Sequence, residues 1–136
     1  MNAKTAAYWG ATILFSLALG AGGVADLTGG LDEGMVHLGY PASTARILGV
    51  WKVLGVLALL APGLPRLKEW AYAGFLFNLT GAFAAHLAVG DALGESIAPM
   101  VLLGIAAASY LLRPESRRLP WPSLGDSATP SAVAAK

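Results

Sequence analysis

The chain has 136 residues, of which 56% are hydrophobic and 12% are charged, whereas soluble proteins carry roughly 25% charged residues. This composition excludes an ordinary water-soluble domain, and at this length it leaves no room for a separate soluble catalytic domain. Cysteine is absent, which excludes disulfides, thiolate catalysis and iron–sulfur ligation. The net charge of +1, without a block of basic residues, gives no indication of nucleic-acid binding.

Four apolar segments follow one another along the chain: residues 5–25, 42–61, 70–89 and 97–112. The first three have about the 20 residues that a helix needs to cross a bilayer, and we expect the fourth to begin before Ile97. None alternates with the two-residue period of a membrane strand. The sequence therefore predicts an all-α fold, namely an integral membrane four-helix bundle in contact with the lipid bilayer.

The connections between these segments are short, with one exception. Residues 26–41 form a long loop in which residues 32–38, followed by Gly39, predict a short helix on the membrane surface. After the fourth segment the sequence becomes rich in Pro, Ser and Ala. We predict a transmembrane domain over residues 1–118 and a disordered cytoplasmic tail over residues 119–136.

The first segment also has features of a cleaved secretory signal. Lys4 precedes it, and small residues at 23–25 end it. We favour a retained helix because the apolar run is longer than a typical signal core. Its Gly20, Gly22 and Gly23 also suit close packing between helices.

Basic residues are distributed unequally between the two sides of the predicted bundle. The side with both chain ends holds Lys4, Arg66, Lys68, Arg113, Arg117, Arg118 and Lys136. The opposite side holds only Arg46, together with several acidic residues. Because cytoplasmic loops carry an excess of Lys and Arg, we predict that both termini are cytoplasmic, in a bacterial-type inner membrane.

Two polar residues fall inside neighbouring apolar segments. Lys52 lies near the middle of the second, where a lysine costs about 2.5–3.5 kcal/mol, so we expect it to face protein or water. Antiparallel pairing across the turn at residues 62–69 places it level with Asn78. Two interpretations stay open: the two side chains hold the helices in register, or Lys52 binds a ligand or transfers protons.

Five ionisable residues are expected together at the outer side: Asp26, His37, Arg46, His86 and Asp91. One interpretation is an Asp26–Arg46 ion pair, with His86 satisfied at a helix interface. A second is a polar mouth that handles protons or binds a substrate, with Asp91 beside His86. A third is a metal or haem site through His37 and His86, but two histidines are a weak ligand set, and we predict no metal.

Several stretches resemble the DoxX-like membrane proteins. They are Leu-Gly-Val-Trp-Lys at 48–52, Leu-Leu-Ala-Pro at 59–62, Leu-Lys-Glu-Trp-Ala-Tyr-Ala-Gly at 67–74, Thr-Gly-Ala at 80–82, His86, and His-Leu-Gly-Tyr-Pro at 37–41. The resemblance covers about residues 5–113 and implies a four-helix membrane bundle. Relatives include a subunit of thiosulfate:quinone oxidoreductase and accessory proteins of redox systems, so quinone is a candidate cofactor.

Three functions from different classes remain open at this point. We favour an accessory subunit of a membrane redox system, with a redox partner protein or a second copy of the chain as its partner. One alternative is a small-molecule binder or proton-coupled transporter with a midplane site at Lys52 and Asn78. The other is a membrane enzyme that acts on a lipophilic substrate, with Lys52 or His86 as acid or base.

Overall fold

The computed structural model describes residues 1–120, which form five α-helices and contain no strand. The helices are α1 (Ala3–Thr28), α2 (Asp32–His37), α3 (Ser43–Leu60), α4 (Pro65–Val89) and α5 (Leu93–Leu112), and a 3₁₀ turn, Glu115–Arg117, follows. Apart from its first two residues, the predicted disordered tail lies outside the described residues.

The four long helices form an antiparallel bundle. Within residues 1–120, α1, α3, α4 and α5 are each long and apolar enough to cross a membrane, which confirms the four predicted spans. Helix α1 packs against α3 and α5, and α4 packs against α5 and, more loosely, against α3. The short helix α2 lies beside the start of α3. The protein is therefore an all-α membrane bundle, as predicted.

Buried apolar side chains from all four long helices form the core. They are Phe15, Leu19, Val56, Leu59, Tyr72, Phe75, Leu79 and Ala106. The Phe15 and Phe75 rings meet edge to face, with centroids 5.1 Å apart. Gly55 makes room for this pair, because a Cβ at that position would lie 2.6 Å from the Phe75 ring. This contact brings α1 and α3 against α4 at the middle of the bundle.

Helices α1 and α3 approach each other closely at two glycines. A Cβ on Gly49 would lie 2.8 Å from the main-chain oxygen of Gly23 and 2.9 Å from the Cβ of Asp26. Without side chains at these positions, the two backbones come into direct contact, as small residues permit in membrane helix pairs. The approach places Asp26 of α1 against the side of α3.

Helix α4 begins five residues earlier than the apolar run that predicted it, at Pro65 rather than at residue 70. The charged Lys68 was placed in the turn before the apolar run, yet in the structure its side chain is fully buried. Its ammonium group donates hydrogen bonds to the main-chain oxygens of Ala58 and Ala61 at the end of α3. These bonds compensate the buried charge, so the helix extends past it.

The loop between the first two long helices agrees more closely with the sequence prediction. Helix α2 ends at His37, and Gly39 has the left-handed φ of 84° that the glycine stop implies. Helix α1, by contrast, continues past Asp26 to Thr28 and ends at Gly29, whose φ is 87°. Asp26 is therefore a residue of the helix interior rather than a helix boundary.

Candidate functional site

An open groove separates α3 from α4. Its volume is about 700 Å³, which lies in the range of roughly 300–1,000 Å³ found for small-molecule sites. Leucine, alanine, glycine and aromatic side chains form its walls. Among the residues that line it, only Lys52 is charged and only Asn78 carries an amide. The groove is thus apolar with two polar groups, the composition of a site for a lipophilic ligand.

Small residues on both helices create this groove. Gly74 of α4 lines it, and a Cβ added there would meet no atom within 4 Å. Ala58 and Ala71 remove further side-chain volume from the two walls. Trp51 and Trp70 stand beside it and are 68% and 75% exposed in the isolated chain, so they face the surrounding lipid. The groove therefore opens toward the bilayer.

The charged end of the groove is an ion pair between α3 and α1. The Lys52 Nζ lies 2.7 Å from Oδ2 of Asp26, whose side chain is fully buried, whereas that of Lys52 keeps 15% of its surface exposed. A Cβ added to Gly23 would lie 3.0 Å from the Lys52 Cβ, so the lysine stem passes close to the α1 backbone. Within the described chain, the other Asp26 oxygen, Oδ1, has no hydrogen-bond partner.

The predicted ion pair between Asp26 and Arg46 is wrong. The Arg46 guanidinium binds both carboxylate oxygens of Asp32 in α2, with Nη2 2.9 Å from Oδ2. It approaches Asp26 only at the main-chain oxygen, at 3.5 Å. Arg46 lies at the predicted end of the bundle, near Asp26, but its side chain extends toward α2. Lys52 binds the Asp26 carboxylate instead. The hydrogen bonds from Arg46 lower the pKa of the Asp32 carboxyl group.

A second cluster joins the loop to the turn between α4 and α5. One oxygen of Asp91 accepts a hydrogen bond from Nε2 of His37 and the other from Nδ1 of His86, both at 2.6 Å. These two contacts lower the pKa of the Asp91 carboxyl, the larger effect coming from His86. We call these three residues the His–Asp–His cluster. The cluster connects the end of α2 to the end of α4 and the turn that follows it.

The structure thus brings the predicted outer residues to one end of the bundle, in two groups. Helix α2 connects the groups, since Asp32 near its start binds Arg46 and His37 at its end binds Asp91. Among residues 1–120, no three His, Asp or Glu side chains are arranged to hold a metal ion. The Asp26–Lys52 pair lies between this end of the bundle and the groove.

Polar contacts at the opposite end were not predicted. Tyr72 and Thr12 each place a hydroxyl 2.7 Å from the Ser109 hydroxyl, inside the bundle. Arg113 pairs with Glu69 at 2.8 Å and stacks over the Tyr110 ring at 4.0 Å. We call the connected hydroxyls of Thr12, Ser109 and Tyr72 the hydroxyl chain. The sequence signal for it is weak, because single Ser and Thr residues in apolar helices commonly bond to their own backbone.

Comparisons with known proteins agree with this architecture. A model of the DoxX-like family matches residues 6–109, which is more than half of the chain and includes the groove, the Asp26–Lys52 and Asp32–Arg46 pairs and the His–Asp–His cluster. No curated protein and no solved structure matches the chain.

Proposed function

The chain belongs to the DoxX-like family of membrane proteins, and from this premise we propose that it binds a quinone in the α3–α4 groove as an accessory subunit of a membrane redox system. The observation that carries the proposal is the groove itself. It is apolar along its length and presents Lys52 and Asn78 as its polar groups.

The polar groups of the groove fit the head of a quinone, which carries two carbonyl oxygens as hydrogen-bond acceptors. A lysine ammonium has three N–H donors, and Lys52 gives one to Asp26, which leaves two. The Asn78 amide lines the same groove and makes no hydrogen bond with any part of the chain that the structure describes. Both residues can therefore donate to carbonyl oxygens of a ligand.

The apolar part of the groove fits an isoprenoid tail. From Lys52 the lining continues along α3 to Ala61, a distance of about 14 Å at 1.5 Å per residue. Leu64 and Leu67 extend the wall at the start of α4. A tail in this position would replace lipid against the exposed Trp70 side chain, so ligand and bilayer share one apolar surface.

The proposal of an accessory role is supported by the limited chemistry that the residues of the groove can perform. A bound quinone provides two-electron redox chemistry, while the residues of the groove bind it, orient its head and keep its tail in the bilayer. The chain has no cysteine, so a thiol relay of its own cannot deliver electrons. A redox partner protein is therefore part of the proposal.

Tryptophan fluorescence tests the binding directly, because quinones quench nearby indoles. In a Trp9→Phe/Trp121→Phe background, Trp51 and Trp70 beside the groove are the only reporters. A benzoquinone with a decyl tail should quench them with saturation. Gly74→Leu fills open space in the groove and should weaken the apparent affinity by about tenfold or more, about 1.4 kcal/mol.

Gly104→Leu is the matched control for that variant. Gly104 lies in α5, outside the groove, and its added Cβ likewise meets no atom within 4 Å. It should quench like the parent protein. Equal quenching of both variants would mean that the quinone dissolves in the detergent or lipid, and the proposed site would be rejected.

The accessory role has its own test in cells. In membranes from a strain without this chain, the redox partner should reduce added quinone more slowly when its own substrate supplies the electrons. The wild-type chain and Gly104→Leu should restore the rate, and Gly74→Leu should not. Restoration by Gly74→Leu would separate any redox role from the groove.

We also propose that the protein lies in the inner membrane with both termini in the cytoplasm. Arg117, which follows α5, contacts Tyr8 near the start of α1 and the main-chain oxygen of Leu59 at the end of α3. The basic residues around these contacts support a cytoplasmic position for that end. A reporter fused after Glu33 should lie on the non-cytoplasmic side of the membrane, and one fused after Lys136 should lie in the cytoplasm; the reverse would overturn the orientation.

A further inference from the structure

We infer that the groove selects ligands with an uncharged polar head and rejects anionic amphiphiles, and that Asp26 determines this selectivity by neutralising Lys52. The inference rests on the proposed function, because it concerns the ligand of the same groove. It adds the charge class of the ligand and assigns a specificity role to a residue that does not line the groove.

The charged side chains around the place where a ligand head would bind have a net charge of zero. Lys52 is the one charged residue that lines the groove, and its ammonium lies 2.7 Å from the buried carboxylate of Asp26. The other cation near Asp26 is Arg46, which touches its main-chain oxygen, but both carboxylate oxygens of Asp32 bind that guanidinium. A ligand at Lys52 therefore meets a neutral pair rather than a free positive charge.

An anionic head would be unfavourable beside this pair. Hydrogen-bonded to Lys52, it would lie within a few ångström of the Asp26 carboxylate, and like charges repel strongly where the effective dielectric is low. It would also leave water to enter an apolar groove without an unshared counter-ion. The lysine would have to leave Asp26, which would strand a fully buried carboxylate.

An uncharged carbonyl or hydroxyl head avoids both penalties. It accepts a remaining N–H of Lys52 while the ion pair stays intact, and Asn78 lines the same groove as a further donor and acceptor. The Asp26 carboxylate also holds the Lys52 ammonium in place, so that its free donors are pre-oriented. Asp26 acts here as a positioning residue.

Two brominated amphiphiles of equal length measure this selectivity, since bromine quenches tryptophan on contact. One is a terminally brominated undecanol, which is neutral, and the other is the corresponding undecyl sulfate, which is anionic at every working pH. Both are titrated into the Trp9→Phe/Trp121→Phe protein, with Gly74→Leu as the filled-groove control. We expect the alcohol to bind at least about tenfold more tightly than the sulfate.

The variant Asp26→Asn removes the negative partner and leaves Lys52 as an unneutralised cation. It should reverse the preference, so that the sulfate binds more tightly than the alcohol. The double variant Asp26→Asn/Lys52→Gln has no charge at the site and should again prefer the alcohol. Because both probes are measured on every protein, differences in head-group size cancel from the comparison.

The outcomes separate this inference from the proposed function. A wild-type protein that binds the sulfate as tightly as the alcohol overturns the inference, even if Asp26→Asn does not fold. An unchanged ratio in a folded Asp26→Asn variant also overturns it. If the quinone binds in the groove as described above, either result leaves the proposed function standing; if neither the quinone nor the amphiphiles distinguish Gly74→Leu from the parent, both proposals fail.

Discussion

Asp26 of α1 and Lys52 of α3 form an ion pair inside the apolar bundle at the point where two glycines bring the helix backbones together. The glycine and the charged residue are three positions apart on both helices: Gly23 precedes Asp26, and Gly49 precedes Lys52. One face of each helix therefore supplies both the close approach and the charge. The contact ties the α1–α3 interface to the polar end of the groove.

Removal of either partner should destabilise the protein. Lys52→Leu leaves a buried carboxylate without a counter-ion, and Asp26→Leu leaves an uncompensated ammonium beside an apolar groove; losses of about 3–5 kcal/mol are typical of such changes. The double variant Asp26→Leu/Lys52→Leu should lose less than either single one. Unfolding in detergent at several denaturant concentrations measures all three, and additive losses would contradict a direct pair.

The close approach of α1 and α3 predicts a second difference in stability. In Gly49→Ala the new methyl group would lie 2.8 Å from the Gly23 main-chain oxygen, so the helices must separate, at a loss of about 1–3 kcal/mol. Gly20→Ala adds the same group to α1 where no atom lies within 4 Å, and should be neutral or stabilising. Thermal unfolding in detergent compares the two; equal effects would contradict the contact.

The fold could be predicted from the sequence because a bilayer imposes a length on every apolar segment. Errors arose where a charge is buried with a partner: Lys68 and Asp26 were taken as helix boundaries, yet both lie within helices. Their partners, two main-chain oxygens and Lys52, come from other helices. A one-dimensional hydropathy pattern contains no information about such contacts.

The candidate site was predictable in depth but not in pairing. Antiparallel pairing placed Lys52 level with Asn78, and both line the same groove. Helix positions do not determine which way a long side chain extends, so Arg46 was paired with the wrong carboxylate, and the sequence did not indicate that Asp26 is the partner of Lys52. The groove depends on the balance of side-chain volumes between α3 and α4, which requires the packed helices.

The buried hydroxyl chain predicts that two serines differ in importance. Ser109 lies 2.7 Å from both the Tyr72 and the Thr12 hydroxyl, so Ser109→Ala leaves Tyr72 without its partner at a loss of about 1–3 kcal/mol. Ser16 is also buried, but within the described chain its hydroxyl has no partner. Ser16→Ala should therefore be neutral or stabilising. Similar losses for both variants, measured by chemical unfolding, would contradict the hydrogen-bond chain.

The His–Asp–His cluster predicts a specific loss of stability in acid. Its two histidines lower the pKa of Asp91 in the folded protein, whereas the carboxyl of an unfolded chain has the ordinary value of about 3.9. The unfolded state therefore binds a proton more readily, and the contribution of Asp91 is fully present above that value. It is lost as the pH falls from about 4 through the lower folded pKa.

Asp91→Asn removes this titration and should flatten the decline of the melting temperature between about pH 5 and pH 2. At neutral pH the variant should be less stable than the wild type, and α2 should exchange its amide hydrogens faster, because an amide cannot replace the carboxylate between His37 and His86. Glu33→Gln removes a carboxyl from the exposed surface of α2 and should leave both measurements close to those of the wild type. If Asp91→Asn retains the full acid dependence, Asp91 does not hold α2 through its charge.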